Sequence, residues 1–365
     1  MHAAAMPSSS PQAEGARPRV LCFGEALVDR LFPPGIESGA AADPGAGGEA
    51  EDHLGGAPAN VACALARLGT AVAFVGRLGT DPIGRSFAGL FADRGVDIRA
   101  LQRDGERPSR VVLVRRDAGG DRSFGGFSGD RGQGFADQAV ETAALAECIQ
   151  PLLDGASWLL VGTIPLASPG SAEALEWLIE QALAKDVALA LDVNWRPTFW
   201  GYATDDGPPP VVLERFAPLL EQASLIKCAA EEAEWLFRET DPLAIHAALP
   251  QRPAVLITDG PRPLRWCMGG RSGSQEAFDV PVVDTTGAGD AFTAGLLHGL
   301  GRRPELLSGD GEGGGGAGDP EALAELMAFA SACGALVCQG GGAITPQPTE
   351  AEVERFLEAQ WVQPD

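Results

Sequence analysis

A chain of 365 residues with 45% hydrophobic residues can bury a sizeable core, which excludes wholesale disorder. Fifty acidic residues against 27 basic ones leave a net charge of −23, a field that repels nucleic-acid backbones and anionic lipid, so neither is expected as a partner. The only lysines are Lys185 and Lys227, and neither follows a glycine, which excludes a Walker-type nucleotide loop; the protein-kinase set of Gly-rich loop, strand lysine and HRD is missing too.

The seven cysteines form no CxxC pair, the four histidines are scattered, and neither HExxH nor GxSxG occurs. No run approaches the roughly 20 apolar residues needed to span a bilayer. The N-terminus lacks an apolar secretory core. Together these features lead us to expect a reducing cytoplasm.

In chain order, residues 1–18 read as a disordered tail of Ala, Pro, Ser and Gln. A buried strand is predicted at Arg19–Gly24, followed by a soft Gly- and acid-rich stretch, Pro33–Asp52. Helix Ala59–Leu68, strand Ala71–Gly76 and helix Ile83–Arg94 come next. Arg110–Arg116 and Asp121–Phe127 read as a hairpin about Asp117–Gly120, expected to stand outside the main sheet. Then follow helix Ala136–Ile149, strand Trp158–Gly162, helix Ser171–Ala184, strand Ala188–Val193 and a small Asp/Pro insert, Thr204–Pro210. Strand Ser224–Lys227, helix Ala230–Arg238, strands Ala254–Thr258 and Gln275–Val280, and helix Gly289–Leu300 complete the alternation. A low-complexity insert, residues 308–320, precedes a last helix at Glu321–Val337. Strands spaced by helices predict an α/β fold with a parallel sheet covered on both faces.

Three segments concentrate polar and small residues where a strand meets a helix. In VVDTTGAGDAFTAG (Val282–Gly295), small residues before a helix let backbone N–H groups crowd onto an oxyanion, and the helix dipole adds positive potential. Asp290 in that first turn is either a helix-start charge or a working carboxylate. In GGAPANVACALARLG (Gly55–Gly69), two glycines permit close backbone approach, and Asn60 is either a cap or a ligand contact. DVNWRP (Asp192–Pro197) leaves a buried strand at its carboxyl end, the edge where open α/β sheets bind ligands.

These segments, with Gly24-Glu25 and Asp29, VGRLGTDPIG (Val75–Gly84), Lys227 followed by Glu231-Glu232, Thr258-Asp-Gly and Gly341-Gly-Ala-Ile, resemble the ribokinase-like sugar kinases of the phosphofructokinase-B type, most closely the fructokinase branch. The resemblance covers about residues 19 to 350. It implies a doubly wound, mostly parallel sheet flanked by helices, in one kinase domain over residues 19–355. A small β lid, about residues 30–54 and 108–130, would close over the sugar and offer an edge for a homodimer.

The resemblance further implies ATP-dependent phosphorylation of a sugar primary hydroxyl. Asp290 would be the general base, and the amides of Gly287, Ala288 and Gly289 the hole for the transferring phosphoryl group. Asp29, Gly55, Gly56, Asn60, Asn194 and Arg196 would meet the sugar. Lys227, Glu232, Thr258, Gly260 and Ser331 would lie on the ATP side. Glu232 would organise Mg2+ through water, and Asp284 and Thr286 match positions that hold K+ in some members. Departures are Ala229 where Asn or Ser is usual, Pro261–Pro263 after the nucleotide loop, Ser331 for Asn, and a lid segment FGGFSGDRGQGFAD in which Arg131 is the available arginine. Two other readings stay open: a kinase for another sugar or sugar acid (2-keto-3-deoxygluconate, ribose, a nucleoside), for which Arg110, Arg131 and Arg196 supply positive charge, and a fructokinase-like binding protein without catalysis.

Overall fold

The computed structural model describes residues 19–32, 50–116, 122–203, 207–307 and 319–361. The tail at 1–18, residues 117–121, most of the soft stretches at 33–52 and 308–320, and residues 204–206 of the insert at 204–210 lie outside the described residues.

Thirteen strands are described: β1 Val20–Phe23, β2 Leu27–Phe32, β3 Glu51–Gly55, β4 Val72–Gly79, β5 Leu101–Asp104, β6 Val111–Arg116, β7 Arg122–Ser128, β8 Trp158–Val161, β9 Ala188–Asp192, β10 Leu225–Ala229, β11 Ala254–Asp259, β12 Arg262–Met268 and β13 Arg271–Gln275. The helices are α1 Ala57–Arg67, α2 Pro82–Arg94, α3 Thr142–Ala146, α4 Gln150–Leu153, α5 Pro169–Leu183, α6 Pro210–Gln222, α7 Ala230–Phe237, α8 Pro242–Ala248, α9 Ala288–Arg302, α10 Pro320–Cys338 and α11 Glu350–Trp361.

Nine strands form the main sheet, in the order β13-β12-β11-β10-β9-β8-β1-β4-β5. It is parallel from β11 to β5, with β12 and β13 added antiparallel at one edge. The expected doubly wound sheet is therefore present. Its central strands are apolar throughout because both faces are covered. Along β1 the faces alternate: Val20 and Cys22 pack into the core under α1, α9 and α10, while Leu21 and Phe23 pack into the core under α5 and α6.

A second sheet, β3-β2-β6-β7, stands apart from the first, as the hairpin reading required. Parallel pairing of β2 with β6 (Val28 opposite Val111) joins two segments distant in sequence, and β3 and β7 are its edges. Only Gly24, Glu25 and Ala26 link β1 to β2.

Several expectations need correction. The helix expected over Ala136–Ile149 is broken into a 3-10 turn at Ala136–Gln138 and the five-residue α3, with α4 starting only at Gln150. Its middle backbone groups are taken by other elements: Arg77 Nη1 donates to the Ala139 carbonyl at 2.8 Å, and the Val140 N–H donates to Ser171 Oγ at 3.3 Å. The strand expected at Gln275–Val280 ends at Gln275, where it begins; β12 and β13 instead make a hairpin turning at Gly269 and Gly270, both with positive φ (57° and 75°). Strands β2, β3, β5 and β12 and helices α4, α6, α8 and α11 were not anticipated. Contrary to the sequence reading, one helix, α10, is apolar and long enough by length and composition to cross a membrane (19 residues, mean hydropathy 1.5). Here it packs along α9 with Leu323, Leu326, Met327, Ala330 and Cys333 buried.

The contact between α9 and α10 is made through glycines. A Cβ added at Gly295 would lie 2.8 Å from Cys333 Sγ and 3.0 Å from Ala330 Cα, and one at Gly334 would lie 2.9 Å from the Ala288 carbonyl oxygen. At Gly299 the same atom would run into Leu326. This close approach fixes the first turn of α9, which carries Asp290.

Candidate active site

The carboxyl ends of β9 and β10 face the N-terminal turn of α9. Asp192 and Lys227 stand directly opposite each other in the pairing of those strands. Lys227 Nζ lies 3.0 Å from each Asp192 carboxylate oxygen, with the two side chains 11% and 7% exposed. Burial alone would lower the Lys227 pKa, but Asp192, Glu232 and Asp290 outweigh it and raise the value, so the ammonium keeps its charge. The Thr293 hydroxyl, one turn into α9, sits 3.2 Å from Asp192 Oδ2 and 3.0 Å from the Gly289 carbonyl. Strand ends and helix start are thus tied together by one buried polar network.

Helix α9 opens at Gly287, whose backbone is left-handed (φ 80°, ψ 0°) and whose added Cβ would lie 2.5 Å from Ala343 Cβ and 2.7 Å from Ala343 Cα. The Ala288 N–H donates to the Thr285 carbonyl at 3.2 Å, so the middle of the three candidate amides is engaged by the turn itself. A Cβ at Gly289 would lie 3.0 Å from Lys227 Nζ, which puts the ammonium against the same turn. Positive helix dipole and ammonium converge there, an arrangement suited to an anion.

Asp290 accepts a 2.8 Å hydrogen bond from Asn60 Nδ2, across from α1. Desolvation, with Asp192 adding to it, pushes the Asp290 carboxyl up to about 6, against the opposing pull of Asn60, Lys227 and Arg196. Asn60 is buried, its carbonyl accepts from Gln347 Nε2 at 2.9 Å, and its buried Oδ1 has no hydrogen-bond partner among the described residues. Sequence reading left open whether Asn60 was a cap or a site residue; its side chain reaches the neighbouring helix start instead of its own backbone.

Of the two glycines before α1, Gly56 is required by its backbone and Gly55 leaves room for the Asp29 carboxylate. Gly56 has φ 99° and an added Cβ would lie 2.7 Å from the Glu25 carbonyl oxygen, while one at Gly55 would lie 3.0 Å from Asp29 Oδ2. Asp29, in β2, lines a small hollow shared with His53, Asp284, Thr286 and Gly342. Asp284 Oδ1 accepts from the Thr286 N–H (2.9 Å) and hydroxyl (2.7 Å), and Oδ2 accepts from the Gly342 N–H (3.1 Å), which moors the 341–343 loop beside α9.

Asn194 adopts φ 44°, a left-handed conformation that short polar side chains tolerate. It lines a second hollow with Glu25, Pro58 and Asp192. Arg196 is exposed, its Nη1 3.1 Å from the Trp195 carbonyl. Glu232 is buried and clasps two elements: Oε1 accepts the Trp195 N–H at 2.6 Å and Oε2 the Ala229 N–H at 2.7 Å. Desolvation raises its pKa despite those bonds and Lys227. With alanine at 229, the reciprocal side-chain bond of a capping box is missing at the start of α7.

On the remaining side, the Thr258 hydroxyl is 3.4 Å from the Cys228 carbonyl, and Gly260 turns β11 into β12 with φ 56°. Ser331 lies half-buried on α10, one turn before Gly334. Among the described residues no hydrogen bond joins these three to the Asp290 network. Nor do the described residues hold any group of three or more Asp, Glu, His or Cys suited to a metal ion.

Sequence reading gave no role to Thr293, Glu25 or Asp137, and counted Asp192 only among the polar groups leaving the strand end with Asn194 and Arg196. The Asp192–Lys227 pair follows from strand register, which a single sequence does not display. Asp137 is the partner of Arg110: Nε lies 2.8 Å from Oδ2 and Nη2 3.2 Å from Oδ1, with both side chains about 95% buried. The guanidinium is also enclosed by Phe127, Phe135 and Phe199, at 4.8, 4.6 and 4.7 Å from their ring centres.

Residues 17–350 match the pfkB family carbohydrate kinase. The chain is 33% identical to probable fructokinase-6, chloroplastic, of Arabidopsis thaliana over 344 residues, covering 93% of this chain and 82% of that one. The solved structure of a Xylella fastidiosa fructokinase with bound ATP superposes with a TM-score of 0.75 at 30% identity, covering 94% of this chain and 98% of that one. A Vibrio cholerae fructokinase with fructose, ADP and calcium bound gives a TM-score of 0.73 at 27% identity, covering 93% and 99%. Since the family match encloses both sheets and every strand end and helix start of this cleft, the chain belongs to the pfkB family of carbohydrate kinases.

Proposed function

We propose that this chain is an ATP-dependent fructokinase, transferring the γ-phosphoryl group of ATP to a primary hydroxyl of D-fructose. The observation that carries the reading is the setting of Asp290: a carboxylate at a helix N-terminus, hydrogen-bonded to Asn60 and beside the Lys227 ammonium. A base with a pKa of about 6 is ionised at neutral pH yet still basic enough to accept a hydroxyl proton. Bound ATP with Mg2+ supplies the phosphoryl group and neutralises charge on its oxygens.

In this reading Asp290 takes the proton, and Lys227 with the Gly287–Gly289 turn stabilises negative charge on the phosphoryl group. Asp29, Gly55, Gly56, Asn60, Asn194 and Arg196 form the sugar side, and Thr258, Gly260 and Ser331 the nucleotide side. Glu232 fits a role towards Mg2+-bound water and not direct ligation, since each of its oxygens already holds a backbone N–H. The Asp284–Thr286 segment is our choice for K+, with Asp284 fixing the loop. Residues 19–355 act as one kinase domain in which the second sheet is the lid, and its edge strands are where a homodimer would pair. Seven free thiols suit the cytoplasm.

The environment of Arg110 supports fructose over a sugar acid. Its charge is spent on Asp137 and enclosed by three rings, so it is not at hand for a substrate carboxylate. The deciding experiment is ADP release from ATP and Mg2+ with a sugar panel, with the product's phosphate located by NMR. We expect D-fructose to exceed D-ribose, adenosine and 2-keto-3-deoxygluconate in kcat/KM. A tenfold lead for any of those would replace fructose and keep the kinase; silence from folded protein would favour a non-catalytic binding role.

A further inference from the structure

Glu25 is the one acidic side chain in the three-residue link between the two sheets, and it is only 3% exposed. The link is threaded tightly: Gly24 has φ 150°, and an added Cβ there would lie 2.6 Å from Pro58 Cγ. Glu25 Oε1 accepts the Ala57 N–H, at the start of α1, at 3.2 Å. Among the described residues no salt bridge reaches this carboxyl; Arg110, the basic residue that shares its hollow, is held by Asp137.

Two small hollows meet at Glu25. One is lined with it by Arg110, Asp137, Ser168 and Phe199, the other by Pro58, Asp192 and Asn194. The carboxyl therefore stands where the two hollows join, one of them shared with Asn194 of the sugar side and with Asp192 of the buried network. Burial, with Asp137 and Asp290 nearby, pushes its pKa up to about 8. At neutral pH such a group is a carboxylic acid, able to donate one hydrogen bond and accept others.

A helix-capping role explains the Ala57 bond but not the rest. Capping needs a short side chain at the helix start, whereas this one is long, buried and placed where two hollows of the cleft join. We propose that Glu25 is a specificity-determining sugar contact: anchored on the Ala57 amide, its carboxyl holds one hydroxyl of the bound sugar from beneath the pocket. The proposal rests on the sugar-kinase reading above.

The test combines Glu25→Leu and Glu25→Gln with the single-deoxy analogues of whichever sugar the wild type binds best. Sugar binding is read by calorimetry without nucleotide, and KM for sugar and for ATP by ADP release. Glu25→Leu should weaken sugar binding about 10- to 100-fold and leave the KM for ATP within about twofold; Glu25→Gln, which keeps a donor and an acceptor, should recover most of the loss. One deoxy analogue that the wild type binds about tenfold worse than its parent should bind Glu25→Leu as well as the parent does. Should Glu25→Leu fail to fold, the same loss of discrimination is read in Glu25→Gln at smaller amplitude. Equal discrimination by wild type and variant against every analogue, or a fall in melting temperature with sugar affinity intact, would leave Glu25 a helix cap and overturn the proposal. Sugar binding without phosphorylation would sink the kinase reading alone; no sugar binding by the wild type would sink both.

Discussion

Replacing Asp290 with asparagine should make the protein more stable and almost inactive. In the folded chain its carboxyl is raised from 3.8 to about 6, chiefly by desolvation. At 1.36 kcal/mol per tenfold change in proton affinity, ionising it in the cleft costs about 3 kcal/mol. Part of the side chain still reaches solvent and asparagine forfeits the attraction to Lys227, so the expected gain is about 1–2 kcal/mol, or about 1–3 °C in melting temperature for a chain of this length. Asparagine keeps an oxygen for the Asn60 Nδ2 bond, so that contact survives. The sign follows from the raised pKa: the wild-type carboxyl favours the fold when protonated, at low pH, and that contribution is lost as pH rises through about 6. The advantage of Asp290→Asn should therefore be full at about pH 7.5 and shrink towards pH 4 in urea unfolding. Loss of the base should lower kcat by about 10²–10⁴, and wild-type kcat/KM should fall off below about pH 6. A variant less stable than wild type at both pH values, or one that keeps kcat within tenfold, would refute the assignment.

Lys227→Met strands Asp192 in a buried site and removes the charge beside Gly289; we expect about 3–5 kcal/mol of lost stability by urea titration and at least a hundredfold lower kcat. Gly287→Ala should be more damaging than Gly289→Ala in both melting temperature and kcat. The first meets the Ala343 backbone at a left-handed φ, whereas the second meets the movable end of Lys227, and the reverse order would contradict the turn described. Arg110→Met should cost about 3–5 kcal/mol by leaving Asp137 buried and unpaired, and adding Asp137→Leu should restore most of it; independent, additive losses would argue against a coupled pair.

What the sequence revealed was governed by how local each signal is. GAGD before α9 and GGAPAN before α1 are contiguous, and their glycines sit where backbone geometry requires them, so both segments were legible. The Lys227–Asp192 and Asn60–Asp290 contacts span 35 and 230 residues, and only the sheet order brings their partners together. Helix Ala136–Ile149 failed for the same reason in reverse: its apolar spacing is helical, but Arg77 and Ser171 claim its middle backbone groups from outside. Strand β12 was missed because Pro263 and two arginines obscure its alternation; the proline sits at the bulge in the pairing with β11, before pairing with β13 begins at Leu264. Glu25 was quoted as part of a motif without a role, since its burial between two hollows depends on both sheets.

The glycine seam between α9 and α10 bears on how this protein can be engineered. Exchanging a helical glycine for alanine is a common route to greater thermal tolerance, gaining up to about 1 kcal/mol from helix propensity. Gly295, Gly299 and Gly334 are in helices and look eligible, yet each faces a neighbour too close for a methyl group. Alanine at Gly295 or Gly334 would meet backbone, wedge α10 away from α9 and displace the turn that carries Asp290, whereas at Gly299 it would have to push aside the end of the Leu326 side chain. Gly89 in α2 and Gly301 near the end of α9 have nothing within 4 Å of an added Cβ. Stabilising substitutions belong at those two positions, and the seam is best left as glycine.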